Sequence, residues 1–182
     1  GADREGMLEM YEESYIQGFT TNPTLMRKAG IEDYESFARD ILEVISDRPI
    51  SFEVFADEFK EMERQALKIA AWGDNVYVKI PITNTRQQSA SELIQRLSSQ
   101  GVRLNVTAIL TLYQVREVAA VVQNGPGCIL TVRRSHLVIK TEVVIVSRSV
   151  RSAPFLATTL SALFALTSNL RHINTMKSNK KS

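Results

Sequence analysis

The chain has 182 residues, 44% hydrophobic and 23% charged, an ordinary globular composition long enough for one sizeable core rather than two. A single cysteine, Cys128, excludes an intrachain disulfide, and with no Cys/His cluster to hold a metal the pattern points to a reducing, cytoplasmic compartment. The net charge of +2 hides a division, since residues 1–123 hold 13 Lys and Arg against 19 Asp and Glu, whereas 124–182 hold 9 against one, Glu142.

The sequence opens on Gly1-Ala2-Asp3, without methionine and without a basic-then-apolar leader, so an upstream stretch is expected to be missing and secretion is not indicated. Asp3 to Tyr15 reads as a helix with Leu8, Tyr11 and Tyr15 on one side. From there apolar runs alternate with helical periodicity. The predicted strands are Gly18–Thr21, Ile50–Phe55, Val76–Ile80, Arg103–Ile109 and Cys128–Val132. Between them, Phe37, Ala38, Ile41, Leu42 and Ile45 form one helical face, and Met62, Ala66, Ile69 and Ala70 form the next. Ala90, Leu93, Ile94 and Leu97 form a third, and Val115, Val118, Ala119 and Val122 a fourth. Strand starts recur every 25 to 32 residues, and no glycine-rich phosphate loop follows the first strand. That regularity predicts an α/β fold, a portion of a (β/α)₈ barrel with five of its eight strands, rather than a dinucleotide-binding sheet.

Residues 133–182 break the pattern. Arg133-Arg134-Ser135-His136-Leu137 opens a basic, Ser/Thr-rich segment whose composition reads as frameshifted or misspliced, separate from the barrel portion 1–132. Its cations are scattered rather than interleaved with aromatics, so no nucleic-acid partner is expected. Ser152 to Leu170 is an uncharged run of 19 residues, and a membrane anchor there ranks below a loosely amphipathic helix or a disordered run. His136 and His172 have no partners at ligand spacing.

In such a barrel the chemistry sits toward the C-terminal ends of the strands, so polar residues inside or just after apolar runs are the ones to weigh. They are Asn22, Glu53, Lys79, Asn105 and Thr107. Lys79, within Val76-Tyr77-Val78-Lys79-Ile80, shares a face with Tyr77 by strand alternation. If that face is the barrel interior, burial favours the neutral amine, which attacks carbonyls; the structural alternative is a lysine whose stem lies on the sheet and whose head stays solvated. Glu53 fits a proton shuttle for imine chemistry, and its structural alternative is a plain ion pair with Lys79 on adjacent strands. Asn105 and Thr107 share a face and can point inward, or can simply satisfy strand-end hydrogen bonds. Asn22 precedes Pro23, where an ordinary structural turn competes with a binding role.

Taken together, Gly18-Phe19-Thr20-Thr21-Asn22-Pro23-Thr24-Leu25, the Glu53 strand, Val78-Lys79-Ile80-Pro81 and Leu104-Asn105-Val106-Thr107-Ala108 resemble the successive strand motifs of the transaldolase and fructose-6-phosphate aldolase family. The resemblance covers about residues 1–132. It implies a partial barrel lacking the first strand and the last two, with Lys79 as the Schiff-base lysine and Glu53 and Thr107 positioning the catalytic water. It also implies that Asn22, Asn105 and Thr20 bind the substrate. The implied reaction is transfer of a dihydroxyacetone unit between sugar phosphates, with no cofactor and no metal, in a cytoplasmic protein able to form homo-oligomers. Glutamate at position 53 is similar to transaldolases, whereas the aldolases tend to have glutamine. An aldolase-type lyase and a non-catalytic barrel fragment are the competing readings. Two departures weigh on activity. The family's aspartate at the end of the first strand has no match here, Asp3 falling after it at a helix start. The stretch that supplies the family's phosphate-binding arginine is not matched by Arg133 or Arg134.

Overall fold

The structure, a computed structural model, describes residues 4–21, 23–28, 30–133 and 142–147. The five predicted runs form strands β1 (Phe19–Thr20), β2 (Ile50–Glu53), β3 (Val76–Pro81), β4 (Leu104–Ile109) and β5 (Cys128–Arg133). They lie parallel and side by side in chain order. Parallel neighbours need a crossover, and the intervening helices supply it. These are α2 (Pro23–Lys28) and α3 (Tyr34–Val44) after β1, α4 (Phe59–Ala70) after β2, α5 (Ser91–Ser99) after β3 and α6 (Leu112–Val121) after β4, with α1 (Arg4–Tyr11) preceding the sheet. The sheet curls as part of a barrel with the helices between its strands, as the periodicity predicts.

Strand alternation divides the sheet into two rows. The outer row, Ile50, Phe52, Val76, Val78, Ile80, Leu104 and Val106, is almost entirely buried beneath the helices. The helices answer with Ala38 and Ile41 from α3, Met62, Ala66 and Ile69 from α4, Leu93, Ile94 and Leu97 from α5, and Val115, Val118 and Ala119 from α6, all buried. Each Leu, Ile or Val so buried contributes roughly 1.5–3 kcal/mol, which makes this layer the main source of stability. The inner row is Thr20, Ser51, Glu53, Tyr77, Lys79, Asn105 and Thr107, aligned by the parallel register.

Local chemistry sets where the elements begin and stop. Asp33 caps α3 by accepting from the Ser36 amide at 3.0 Å. Thr111 opens α6 with a reciprocal capping box, its hydroxyl accepting from the Gln114 amide and the Gln114 side chain accepting from the Thr111 amide. Gly101, at φ +87°, ends α5 in the left-handed conformation that glycine alone adopts without cost. At the N-terminal ends of β2 and β3, Asn75 donates to the carbonyls of Ile45 and Arg48 at 2.7 and 2.8 Å and ties the two strand entries together.

The structure departs from the sequence reading at its margins. The first helix stops at Tyr11 rather than Tyr15, and β1 narrows to two residues because the chain turns into α2 at Pro23, a residue suited to a first helical position. Neither α2 nor a sixth strand, β6 (Glu142–Ser147), was predicted. β6 pairs antiparallel with β5, from Cys128↔Ser147 to Arg133↔Glu142. Near its end β4 carries a bulge between Val106 and Ile109, with Ala108 in the left-handed region at φ +59°. The uncharged run from Ser152 to Leu170 lies outside the described residues; among those described, no helix is long and apolar enough to cross a membrane.

A tight contact between the end of α5 and the α6–β5 connection can be tested. A Cβ on Gly125 would lie 1.8 Å from Ser98 Oγ and 2.8 Å from the Ser98 carbonyl oxygen. Gly125→Ala is expected to lower unfolding free energy by about 1–3 kcal/mol in urea titrations. Adding Ser98→Ala should return only part of that, because the carbonyl stays in place.

Candidate active site

The inner row brings together a lysine and a glutamate because β2 and β3 place them as direct register partners, Glu53↔Lys79. Lys79 Nζ lies 3.1 Å from Glu53 Oε2, with the two side chains 17% and 25% exposed. The ion pair weighed as a structural alternative therefore exists. A half-buried pair at this distance is costly to break from one side, since the surviving charge is left partly desolvated. It is also a geometry in which a carboxylate can take up the proton that an amine must lose to become a nucleophile.

Asn105 is the next register partner of Lys79, on β4. It is buried, and its amide bridges the inner face: Nδ2 donates to Ser51 Oγ at 2.9 Å, and Oδ1 accepts from Thr131 Oγ1 at 2.9 Å. Thr107, also buried, donates to the Ile80 carbonyl at 3.4 Å, and no described contact joins it to Glu53. Thr20 is exposed on the same row, level with Ser51, and its hydroxyl reaches the Thr21 carbonyl at 3.4 Å. Asn22 lies outside the described residues, as do Arg134 and both histidines. The structure thus joins Lys79 to Glu53, sets Asn105 beside them, and carries Thr107 and Thr20 on the same row.

Sequence reasoning passed over three polar residues of this region. Ser51 stands two residues before Glu53 and shares its face by period two, and Thr131 lies inside the fifth predicted strand; both could have been found by extending the alternation already used for Asn105 and Thr107. Tyr34 could not, because it belongs to the first turn of α3 and reaches the strands only through the fold. Its hydroxyl accepts from the Glu53 amide at 2.9 Å and bonds Thr21 Oγ1 at 2.9 Å, while its ring meets Phe52, Phe55 and Trp72 edge to face. Burial pushes the Tyr34 phenol up to about 12, so it remains protonated at neutral pH. Asp57, between β2 and α4, accepts from the Thr85 amide at 2.8 Å and the Thr85 hydroxyl at 2.7 Å, which fixes the loop leaving the lysine strand β3; these bonds hold the Asp57 carboxyl below its ordinary range.

Parallel strands linked by helices, an apolar outer row and a polar inner row carrying a lysine–carboxylate pair define part of an α/β barrel of the enzymatic kind. The family model described as "Transaldolase/Fructose-6-phosphate aldolase" matches residues 1–148, and the chain belongs to that family. A "Probable transaldolase" of Dehalococcoides mccartyi is 41% identical over 99 residues, covering 54% of this chain and 44% of that protein. Proteins of the same name from Streptococcus equi subsp. zooepidemicus and Lactiplantibacillus plantarum are 37% and 34% identical over 113 residues, covering 62% of this chain and 50% and 49% of theirs. The chain spans about half the length of the curated relatives it matches.

The Tyr34 phenol gives a signed pH prediction. Its ordinary value is 10.0 and burial raises it to about 12, so its contribution to folding is complete below about pH 10 and is lost as pH climbs through about 12. The stability gap between the native chain and Tyr34→Phe, read from urea unfolding, is expected to be constant from pH 7 to pH 9 and to shrink above pH 10. A gap that stays level to pH 12 would contradict this assignment.

Proposed function

We propose that this chain carries the imine-forming part of a transaldolase-like site, with Lys79 as the nucleophile and Glu53 as its proton shuttle. The observation that carries the reading is the 3.1 Å contact between the two on the inner face of the sheet, together with the family to which the chain belongs. In this reading Lys79 Nζ, having given its proton to Glu53, adds to the ketone carbon of a ketose phosphate. Glu53 returns the proton to the resulting hydroxyl, water leaves, and an imine remains. The bond between the first and second carbons beyond the imine carbon then breaks: the hydroxyl on the second carbon gives its proton to solvent as it becomes the aldehyde, and the bond's electron pair moves onto the protonated imine, so the lysine adduct is itself the electron sink and no cofactor is needed. The aldose phosphate departs, the three-carbon enamine adds to a second aldose phosphate, and hydrolysis frees Lys79.

Asn105 and Thr20, on the inner row, and Asn22, just after β1, are the candidates for holding the hydroxyls of the dihydroxyacetone unit, and Thr107 for placing the water. For Asn105 the support is its position beside Lys79 with an amide already oriented by Ser51 and Thr131. Glutamate at position 53 favours transfer over free aldol cleavage, and the reaction belongs to cytoplasmic carbohydrate metabolism of the pentose phosphate type. Lys79 and Glu53 account for the early, imine-forming steps of that reaction, and the chain spans about half the length of the relatives it matches.

Borohydride reduction in the presence of fructose 6-phosphate is expected to leave a covalent adduct on Lys79, read by peptide mass spectrometry as the six-carbon ketose phosphate where only the imine forms and as a three-carbon unit where cleavage follows. Lys79→Arg should abolish it, and Glu53→Gln should slow its formation by about 10²–10⁴-fold. Absence of any adduct on the folded native chain would overturn the proposal. Transfer to an added aldose phosphate separates a transaldolase from a lyase, which would release free dihydroxyacetone.

A further inference from the structure

The β1–β2 ladder ends in an unusual way. The Phe19 amide donates to the Pro49 carbonyl at 2.8 Å and the Thr21 amide to the Ser51 carbonyl at 3.0 Å. A parallel ladder would next send the Glu53 amide to the Thr21 carbonyl. It does not, because β1 ends at Thr20 and the chain turns into α2. The Glu53 amide instead donates to the Tyr34 hydroxyl at 2.9 Å. Thr21 Oγ1 donates to the Ser51 carbonyl at 3.1 Å, so the one hydrogen left for the 2.9 Å contact between Thr21 and Tyr34 is the phenol's own. Every proton in the chain is thereby assigned: Glu53 amide to Tyr34, Tyr34 to Thr21, Thr21 to the Ser51 carbonyl. The phenol completes the ladder where the two strands part.

From this geometry we infer that Tyr34 is a positioning residue for the Lys79–Glu53 pair, fixing the Glu53 backbone at the point where the ladder to β1 is lost. This deepens the function proposed above and rests on it for its catalytic meaning. Three features make the phenol a rigid support. Its ring is held edge to face by Phe52, Phe55 and Trp72 at centroid distances of 5.9, 4.9 and 5.6 Å. Its backbone lies in the first turn of α3, which Asp33 caps. Its acceptor, Thr21, is fully buried. Glu53 is the last residue of β2: on its β3 side the Val54 amide donates to the Lys79 carbonyl at 3.1 Å, whereas on its β1 side the ladder has ended and the Tyr34 hydroxyl takes the amide, so the phenol supplies the support that β1 no longer gives.

The test reads the pair directly and does not depend on imine chemistry. The native chain is treated with a limiting dose of acetic anhydride at fixed pH, and acetylation of Lys79 is measured by peptide mass spectrometry relative to Lys60 and Lys68 in the same molecules. Tyr34→Phe removes the acceptor for the Glu53 amide and is expected to raise relative Lys79 labelling by about threefold, as the carboxylate loses its fixed place beside the amine. Thr21→Val cuts the same chain at its other end and should raise it by a smaller factor, serving as the second variant if Tyr34→Phe folds poorly. Asn75→Ala removes two hydrogen bonds at the opposite end of the same strands and should leave the ratio at its native value while lowering stability. An unchanged ratio in both Tyr34→Phe and Thr21→Val, or an equal rise in Asn75→Ala, overturns the inference. If the labelling change is seen but borohydride traps no adduct on the native chain, the positioning role stands and the imine-forming function fails.

Discussion

The rest of the molecule depends on one constraint: a parallel sheet fed by helical crossovers must bury its outer face, and strand alternation then leaves every second residue facing the barrel interior. Along β3 this gives Val76, Val78 and Ile80 to the core and Tyr77, Lys79 and Pro81 to the interior. Because the outer row is fixed by packing, the inner row cannot slip: a shift of one residue would push Lys79 under α4 or α5 and turn Val78 into the interior. The lysine is held in place by the aliphatic residues on either side of it.

That same constraint explains what was legible in the sequence. The five parallel strands and the four longer helices after β1 announced themselves through period two and period 3.6, and each helical face named in advance contributes buried residues at those positions. Lys79 and Glu53 stood out because a charge inside an aliphatic run has to be accounted for, and the parallel register supplies the account by making them neighbours. What was not legible had no periodic signature. α2 is six residues long, too short to repeat an apolar face. The bulge at Ala108 is a local accommodation with no compositional mark, since alanine is an ordinary strand residue until its φ is known. β6 did have a signal, the run Glu142-Val143-Val144-Ile145-Val146-Ser147, masked by the charge imbalance of the segment around it.

The site was legible as a set of residues but not as a network. Nothing in the spacing of Ser51, Asn105 and Thr131 says that the asparagine amide spans from β2 to β5 with both of its ends occupied, and nothing near Tyr34 says that its hydroxyl reaches both the end of β2 and Thr21 just past β1. Such contacts join residues 13 to 54 positions apart and arise only once the sheet has curled. The groups that bear the charge can be read from strand pattern, whereas those that hold them still come from whichever elements the fold brings alongside.

The antiparallel strand β6 carries a consequence of a different kind. In a barrel of repeating βα units, each strand hands its direction to the next, and polarity is conserved around the ring. The pairing of Arg133 with Glu142 means that the backbone leaves the sheet and re-enters it at the same rim, the one toward which Glu53 points the end of β2. Inheritance of direction therefore stops at β5. Among the described residues β6 ends the sheet, and its backbone runs opposite to the first five strands. Any strand that joins there can run either way without breaking the rule that governs the first five.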